Sequence, residues 1–177
     1  MERRIAVLGA SGNGKTTVAR TLAERLGVPH VELDALHHGP SWTPASAEEL
    51  RARVMPYLDE GGWVIDGDYS AKLGDLVLER ADTAVWLDQP LPLILWRLWL
   101  RSYRRIRRRE ELWSGNLETW RGAFVGREGL FAWTIRSHFS KRRTFPRRFA
   151  RHPRLRVVRL RSPRAVERWL AEAASEM

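Results

Sequence analysis

The residues that speak first are Gly9, Ala10, Ser11, Gly12, Asn13, Gly14, Lys15 and Thr16. They follow the spacing G-x-x-x-x-G-K-[ST], with a short apolar run, Arg4 to Leu8, before them and an amphipathic stretch after. Glycines let successive backbone N–H groups curl around an anion, and the start of a helix adds the positive end of its dipole. A lysine there places a charge on the terminal phosphates of a nucleoside triphosphate, and the hydroxyl after it is a ligand for Mg²⁺. Gly9 to Thr16, with Thr17 behind them, are therefore a candidate phosphate cradle, and Thr16 a candidate metal ligand.

Two carboxylates close short apolar runs. Asp34 is expected at the end of a strand over Val31 to Asp34, where it could hold a metal-bound water or take a proton from an attacking group. Asp66 ends Trp63-Val64-Ile65-Asp66, a hydrophobic strand closing on an acid, which suits a carboxylate that orients Mg²⁺ through water. Asp68 and Tyr69 follow, and Trp42 lies in a loop after His37 and His38. These three are candidate substrate contacts, with Trp42 a stacking platform or a cover for the core. Adjacent histidines point alternately and make a poor metal pair, and the chain has no cysteine, so a zinc site is not expected.

The charge is unevenly placed. The net charge is +10, and residues 89–177 carry 22 Lys and Arg against 7 Asp and Glu. Over Pro92 to Glu110 a long helix is expected. Trp96, Trp99, Tyr103 and Ile106 share one side of it, and Arg97, Arg101, Arg104, Arg105 and Arg108 nearly the other. Arg97 and Arg101 stand one turn apart and could neutralise charge on a phosphoryl group in flight. A membrane-surface or nucleic-acid helix has the same pattern. Against a nucleic-acid role, the C-terminal arginines are interleaved with Trp and Phe at helical spacing, which fits helices that face the core. Residues 108–130, rich in Gly and polar side chains, read as a lid, with Asn116 and Glu118 able to touch an acceptor. Arg142, Arg143, Arg147 and Arg148 could reach phosphates when it shuts, or could equally hold RNA or DNA by backbone charge.

These pieces alternate as strand and helix across 177 residues, which predicts one α/β domain over 1–177. Strands are expected at Arg4–Leu8, Val31–Asp34, Trp63–Asp66, Thr83–Leu87 and Leu155–Leu160. Helices are expected at Lys15–Leu26, Ser46–Glu60, Ser70–Arg80, Leu130–His138 and after Ser162. No signal peptide is read at the start, and the longest apolar run, Leu91 to Leu100, is too short for a bilayer and holds Arg97. A cytoplasmic protein, monomeric or homodimeric and with no membrane partner, is the expectation.

The phosphate loop, Leu33-Asp34-x-Leu36…Trp42, Trp63 to Tyr69 and Gly115-Asn116-x-Glu118 resemble the small P-loop kinases of the adenylate kinase and shikimate kinase type. Among these, they are most similar to an adenylate-kinase-like group labelled DNA topology modulation proteins. The resemblance implies a P-loop NTPase fold: a five-stranded parallel sheet with helices on both faces, in the nucleoside monophosphate kinase style, under an arginine-rich lid. It implies ATP and Mg²⁺ as ligands. Adenylate kinases carry Asp-Gly-Phe-Pro-Arg where this chain has Asp66-Gly67-Asp68-Tyr69-Ser70. The missing arginine removes a monophosphate contact, and a carboxylate there suits a hydroxyl-bearing acceptor better. The expected function is phosphoryl transfer from ATP to a small acceptor, a nucleotide or a hydroxylated metabolite. An NTP-dependent nucleic-acid-binding or regulatory protein is the alternative that the basic half motivates.

Overall fold

The computed structural model describes residues 3–125 and 129–175. Residues 126–128 of the expected lid lie outside the described residues. In chain order the elements are β1 (Arg4–Gly9), α1 (Lys15–Leu26), β2 (His30–Glu32), α2 (Leu33–His37), α3 (Ala47–Leu58), β3 (Trp63–Asp66), α4 (Ser70–Leu73) and α5 (Leu76–Arg80). There follow β4 (Thr83–Leu87), α6 (Leu91–Arg108), α7 (Trp120–Phe124), α8 (Leu130–Phe149), β5 (Arg156–Leu160) and α9 (Pro163–Ser175). All strand pairs are parallel, and the order across the sheet is β2-β3-β1-β4-β5. β1 sits at the centre, so the loop that leaves it opens above the middle of the sheet, where ligands of such sheets bind.

Burial on both faces explains why the central strands read as unbroken apolar runs. Ile5 and Val7 of β1 join Val18, Leu22 and Val166 under α1 and α9. The alternate residues Ala6 and Leu8 face the other way, with Trp86, Phe145 and Phe149 of β4 and α8. A third cluster sets Val31, Trp63 and Ile65 against Leu50, Val54 and Leu58 of α3.

Local chemistry sets the helix ends. Gly27 closes α1 in the left-handed region, φ 60°, and its N–H bonds the carbonyl of Ala23. At α3, Glu49 N donates to Ser46 Oγ at 3.1 Å and Ser46 N to Glu49 Oε2 at 2.7 Å, which is the capping box read from the sequence.

Four expectations need correction. β2 ends at Glu32, two residues early, and Asp34 lies on α2. The segment Ser70–Arg80 is two helices, because Gly74 takes φ 61°, ψ −133° between them. The helix expected over Leu130–His138 continues to Phe149, since Phe145 and Phe149 pack on Trp86, at 5.6 and 6.0 Å between ring centroids. Finally, the aromatic side of α6 does not face the core. Its buried residues are Ile94, Leu98 and Ser102, while Trp96 is 57% exposed and Trp99 39%.

Candidate active site

The phosphate loop is braced before any ligand arrives. Gly12 has φ 80° and stands so close to α6 that a Cβ would lie 2.7 Å from the Ile94 carbonyl. Buried Asn13 donates from Nδ2 to Ala10 O at 3.2 Å and accepts at Oδ1 from Gln89 N at 3.2 Å. Gln89 in turn accepts from the Arg97 guanidinium at 2.9 Å. The loop and the first candidate arginine are thus tied through one residue, Gln89. Lys15 Nζ donates to Ala10 O at 3.4 Å, folded back over the loop it would leave to meet a phosphate.

A cavity of about 1290 Å³ opens above the loop. Ser11, Gly12, Gly14, Lys15, Thr16 and Thr17 form one wall. Asp34, His37, His38, Trp42 and Tyr69 form another, and Arg97, Arg101, Arg104 and Arg105 of α6 reach in from above. Gly9, Ala10 and Asn13 shape the loop from behind and do not line this cavity.

Glu32 was not singled out in the sequence, and it lies at the centre of the arrangement. Thr16 Oγ1 donates to Glu32 Oε1 at 3.3 Å, and the indole N–H of Trp113 donates to Glu32 Oε2 at 3.2 Å. Burial, and then the neighbouring Asp66, push the Glu32 carboxyl above its ordinary range. The signal was available: alternation along a strand puts Glu32 and Asp34 on the same side, and only the strand's length decided which acid closes it.

Asp34 lines the cavity, and Tyr69 donates its hydroxyl to Asp34 Oδ1 at 2.6 Å. Burial, followed by the Asp34 charge, pushes the Tyr69 phenol far upward, so it remains a donor. His37 and His38 are pushed down, by burial first, and stay neutral near pH 7. Arg101 faces Glu118, Asp34 and Glu32; burial and then Arg105 lower its pKa, and those acids oppose the shift.

Two expected residues do not line this cavity. Asp66 is 1% exposed and bonds His30 Nε2 at 2.8 Å, beside Glu32 in the β2–β3 register. Asp68 lines a separate cavity of about 430 Å³ under α8. There it pairs with Arg148 at 2.9 Å and Lys141 at 3.6 Å. Burial alone would raise the Asp68 carboxyl, but Lys141 and Arg148 outweigh it and hold the group low. Of the expected lid arginines, Arg148 is spent on Asp68 and Asp75, and Arg142 on Asp88.

The segment expected as a lid is docked on the loop after α2. Trp42 N donates to Asn116 Oδ1 at 2.9 Å, Asn116 Nδ2 to Gly39 O at 2.9 Å, and Ser114 Oγ to His38 O at 3.0 Å. Trp113 stacks on His38, at 5.7 Å and 20° between the rings. Asn116 is therefore a fastener buried between two loops, while Glu118 lines the cavity and accepts from Ser102.

For a Mg²⁺ ion the donors fit. Thr16 and Glu32 offer a hydroxyl and a carboxylate at the mouth of a phosphate cradle, and Mg²⁺ takes one or two protein oxygens and completes its shell with phosphate and water. Among the described residues no group of three or more His, Asp or Glu could hold a metal by itself.

No family model matches the chain. It is 33% identical over 82 residues to a cytidylate kinase of Thermotoga sp. (strain RQ2), a stretch that is 40% of this chain and only 37% of that relative. Among solved structures it is similar to a shikimate kinase from Acinetobacter baumannii in complex with shikimate, with a TM-score of 0.58, 18% identity, and 99% and 93% of the two chains covered. A shikimate kinase from Bacteroides thetaiotaomicron gives 0.56 and 16%, covering 99% and 98%. A gluconokinase from Sinorhizobium meliloti 1021 gives 0.53 and 20%, covering 99% and 95%. The chain has the α/β fold of the small P-loop kinases.

Proposed function

We propose that this protein is an ATP- and Mg²⁺-dependent phosphotransferase that moves the γ-phosphoryl group to a hydroxyl of a small acceptor. One observation carries the reading: a single cavity joins Lys15 and Thr16 to Asp34, Tyr69 and Trp42, with Arg97 and Arg101 over the junction. Lys15 and the loop N–H groups hold the β- and γ-phosphates. Thr16 and Glu32 would hold the Mg²⁺, which when bound offsets charge on those phosphates. Asp34, fixed by the Tyr69 hydroxyl, takes the proton of the acceptor hydroxyl. That oxygen bonds the γ-phosphorus as the bond to the bridging oxygen breaks, and ADP leaves. Arg97 and Arg101 stabilise charge on the transferring group, and the docked lid keeps water out.

The names of the similar structures support a hydroxylated acceptor, since shikimate and gluconate both carry hydroxyls. The similarity to a cytidylate kinase supports a nucleotide acceptor instead, over the stretch that it covers. ADP release measured across nucleoside monophosphates, nucleosides, sugars, cyclitols and DNA separates the two. Strong release with one small acceptor supports the kinase reading. Release raised by DNA alone moves the regulatory reading ahead. Lys15→Met should lower turnover by ~10³-fold or more with the fold intact; turnover that survives this change overturns the proposal.

A further inference from the structure

Helix α6 buries Ile94 and Leu98 and still carries a second, aromatic side that stays open. An amphipathic helix on a soluble protein ordinarily turns its apolar stripe inward. Here the arginine side lines the cavity, and the aromatic side looks out. That side is continuous beyond the helix. Trp96 stacks on Trp99 at 5.5 Å and Trp99 on Tyr103 at 5.4 Å. Tyr103 meets Trp120 of α7 at 6.0 Å, and Trp120 stacks on Phe124 at 5.3 Å. Trp120 is 49% exposed, and Leu100 and Val125 add open aliphatic surface.

What surrounds this ladder is basic. Of the seven arginines in residues 91–109, Arg97, Arg101, Arg104 and Arg105 line the cavity, and Arg107, Arg108 and Arg109 follow at the end of the helix. Arg107, Arg108 and Arg109 are exposed at the end of α6, and Arg121 is exposed on α7. Arg107 lies over the Tyr103 ring at 5.7 Å. A surface of indole, phenol and leucine rimmed by guanidinium groups matches the headgroup layer of an anionic bilayer. Aromatic rings with one polar edge settle there, and arginines meet the lipid phosphates.

Two other occupants match less well. A second copy would bring the same arginine rim against itself. A single-stranded nucleic acid stacks its bases on free ring faces, and along this ladder the inner rings spend their faces on each other. No helix among the described residues is long and apolar enough to cross a membrane, so the contact is peripheral.

We propose that the Trp96–Trp99–Trp120 face is a docking surface for an anionic lipid bilayer, independent of the chemistry in the cavity. This replaces the expectation of no membrane partner, which rested on an apolar run too short for a bilayer. The test is co-sedimentation with vesicles of phosphatidylcholine, with and without phosphatidylglycerol. The protein should pellet with the phosphatidylglycerol vesicles and be released by salt. The double variant W96S/W99S, shown folded by circular dichroism and by retained ATP binding, should lose about tenfold in lipid affinity. Arg107→Gln with Arg121→Gln should weaken the salt dependence. Lys15→Met should bind lipid as the parent does, which keeps this test separate from that of the phosphotransferase reading. Any of three results overturns the proposal: no pelleting with either vesicle, W96S/W99S pelleting unchanged, or the double variant altering only oligomeric state or oligonucleotide binding.

Discussion

The indole N–H of Trp113, on the lid, donates to the same Glu32 carboxylate that accepts from the Thr16 hydroxyl of the phosphate loop. Lid position and the proposed cation site are thereby joined through one side chain. Trp113→Phe keeps a ring on His38 and removes only the donor. Affinity for Mg²⁺-ATP should fall about tenfold, the order expected for one hydrogen bond to a charged group. Isothermal titration with and without Mg²⁺ reads it, and equal affinities for variant and parent would make the contact incidental.

Glu32 is held at a cost to the ligand-free protein. Burial and then Asp66 raise its pKa, so its contribution to stability is full below the pKa of the unfolded chain and is lost as pH rises through the folded value. Glu32→Gln should therefore raise the melting temperature of the ligand-free protein at neutral pH, and the gain should vanish in acid. The same change should weaken Mg²⁺-dependent nucleotide binding. Thermal melts from pH 4 to pH 8, roughly spanning the carboxylate range, together with a Mg²⁺ titration, check both halves. A variant that is no more stable than the parent at any pH sinks the electrostatic account.

Lys141 has the opposite sign. Its ammonium donates to Gly9 O at 3.1 Å, under the start of the phosphate loop. Burial pushes its pKa down to about 8, while Asp68 favours the charge and Lys15 opposes it. Between that value and ~10.4 in the unfolded chain, the unfolded state binds more protons, so stability should rise with pH there. Measured against Lys141→Met, the parent should gain stability from pH 8 upward and show no such gain from pH 6 to pH 7.5. A flat difference across the alkaline range would mean that the lysine titrates normally.

The strand–helix alternation was legible because the central strands are buried on both faces. Those strands are short, mostly apolar and punctuated by Gly, Pro or Asp, and four of the five strand ends fell within one residue of expectation. The exception, β2, is a three-residue strand running directly into a helix, so periodicity had too little length to separate His30–Glu32 from Val31–Asp34. That slip of two residues hid Glu32. Asp68 was misleading for a different reason. Its partners Arg148 and Lys141 come from a helix more than seventy residues away, and no local pattern announces them.

Alone, the sequence determined that a phosphate loop stands between a strand and a helix, and that an α/β layer must carry it. Both follow from short-range rules: glycine torsions, caps and hydrophobic period. Only the tertiary structure decided which way α6 turns. Its two sides are equally well formed on a helical wheel, and the wheel does not say which one meets protein. Ile94 and Leu98 seat the helix with no exposure, Ile94 against Gly12 of the loop, and that packing turns Arg97 and Arg101 toward the cavity and leaves Trp96 and Trp99 facing out.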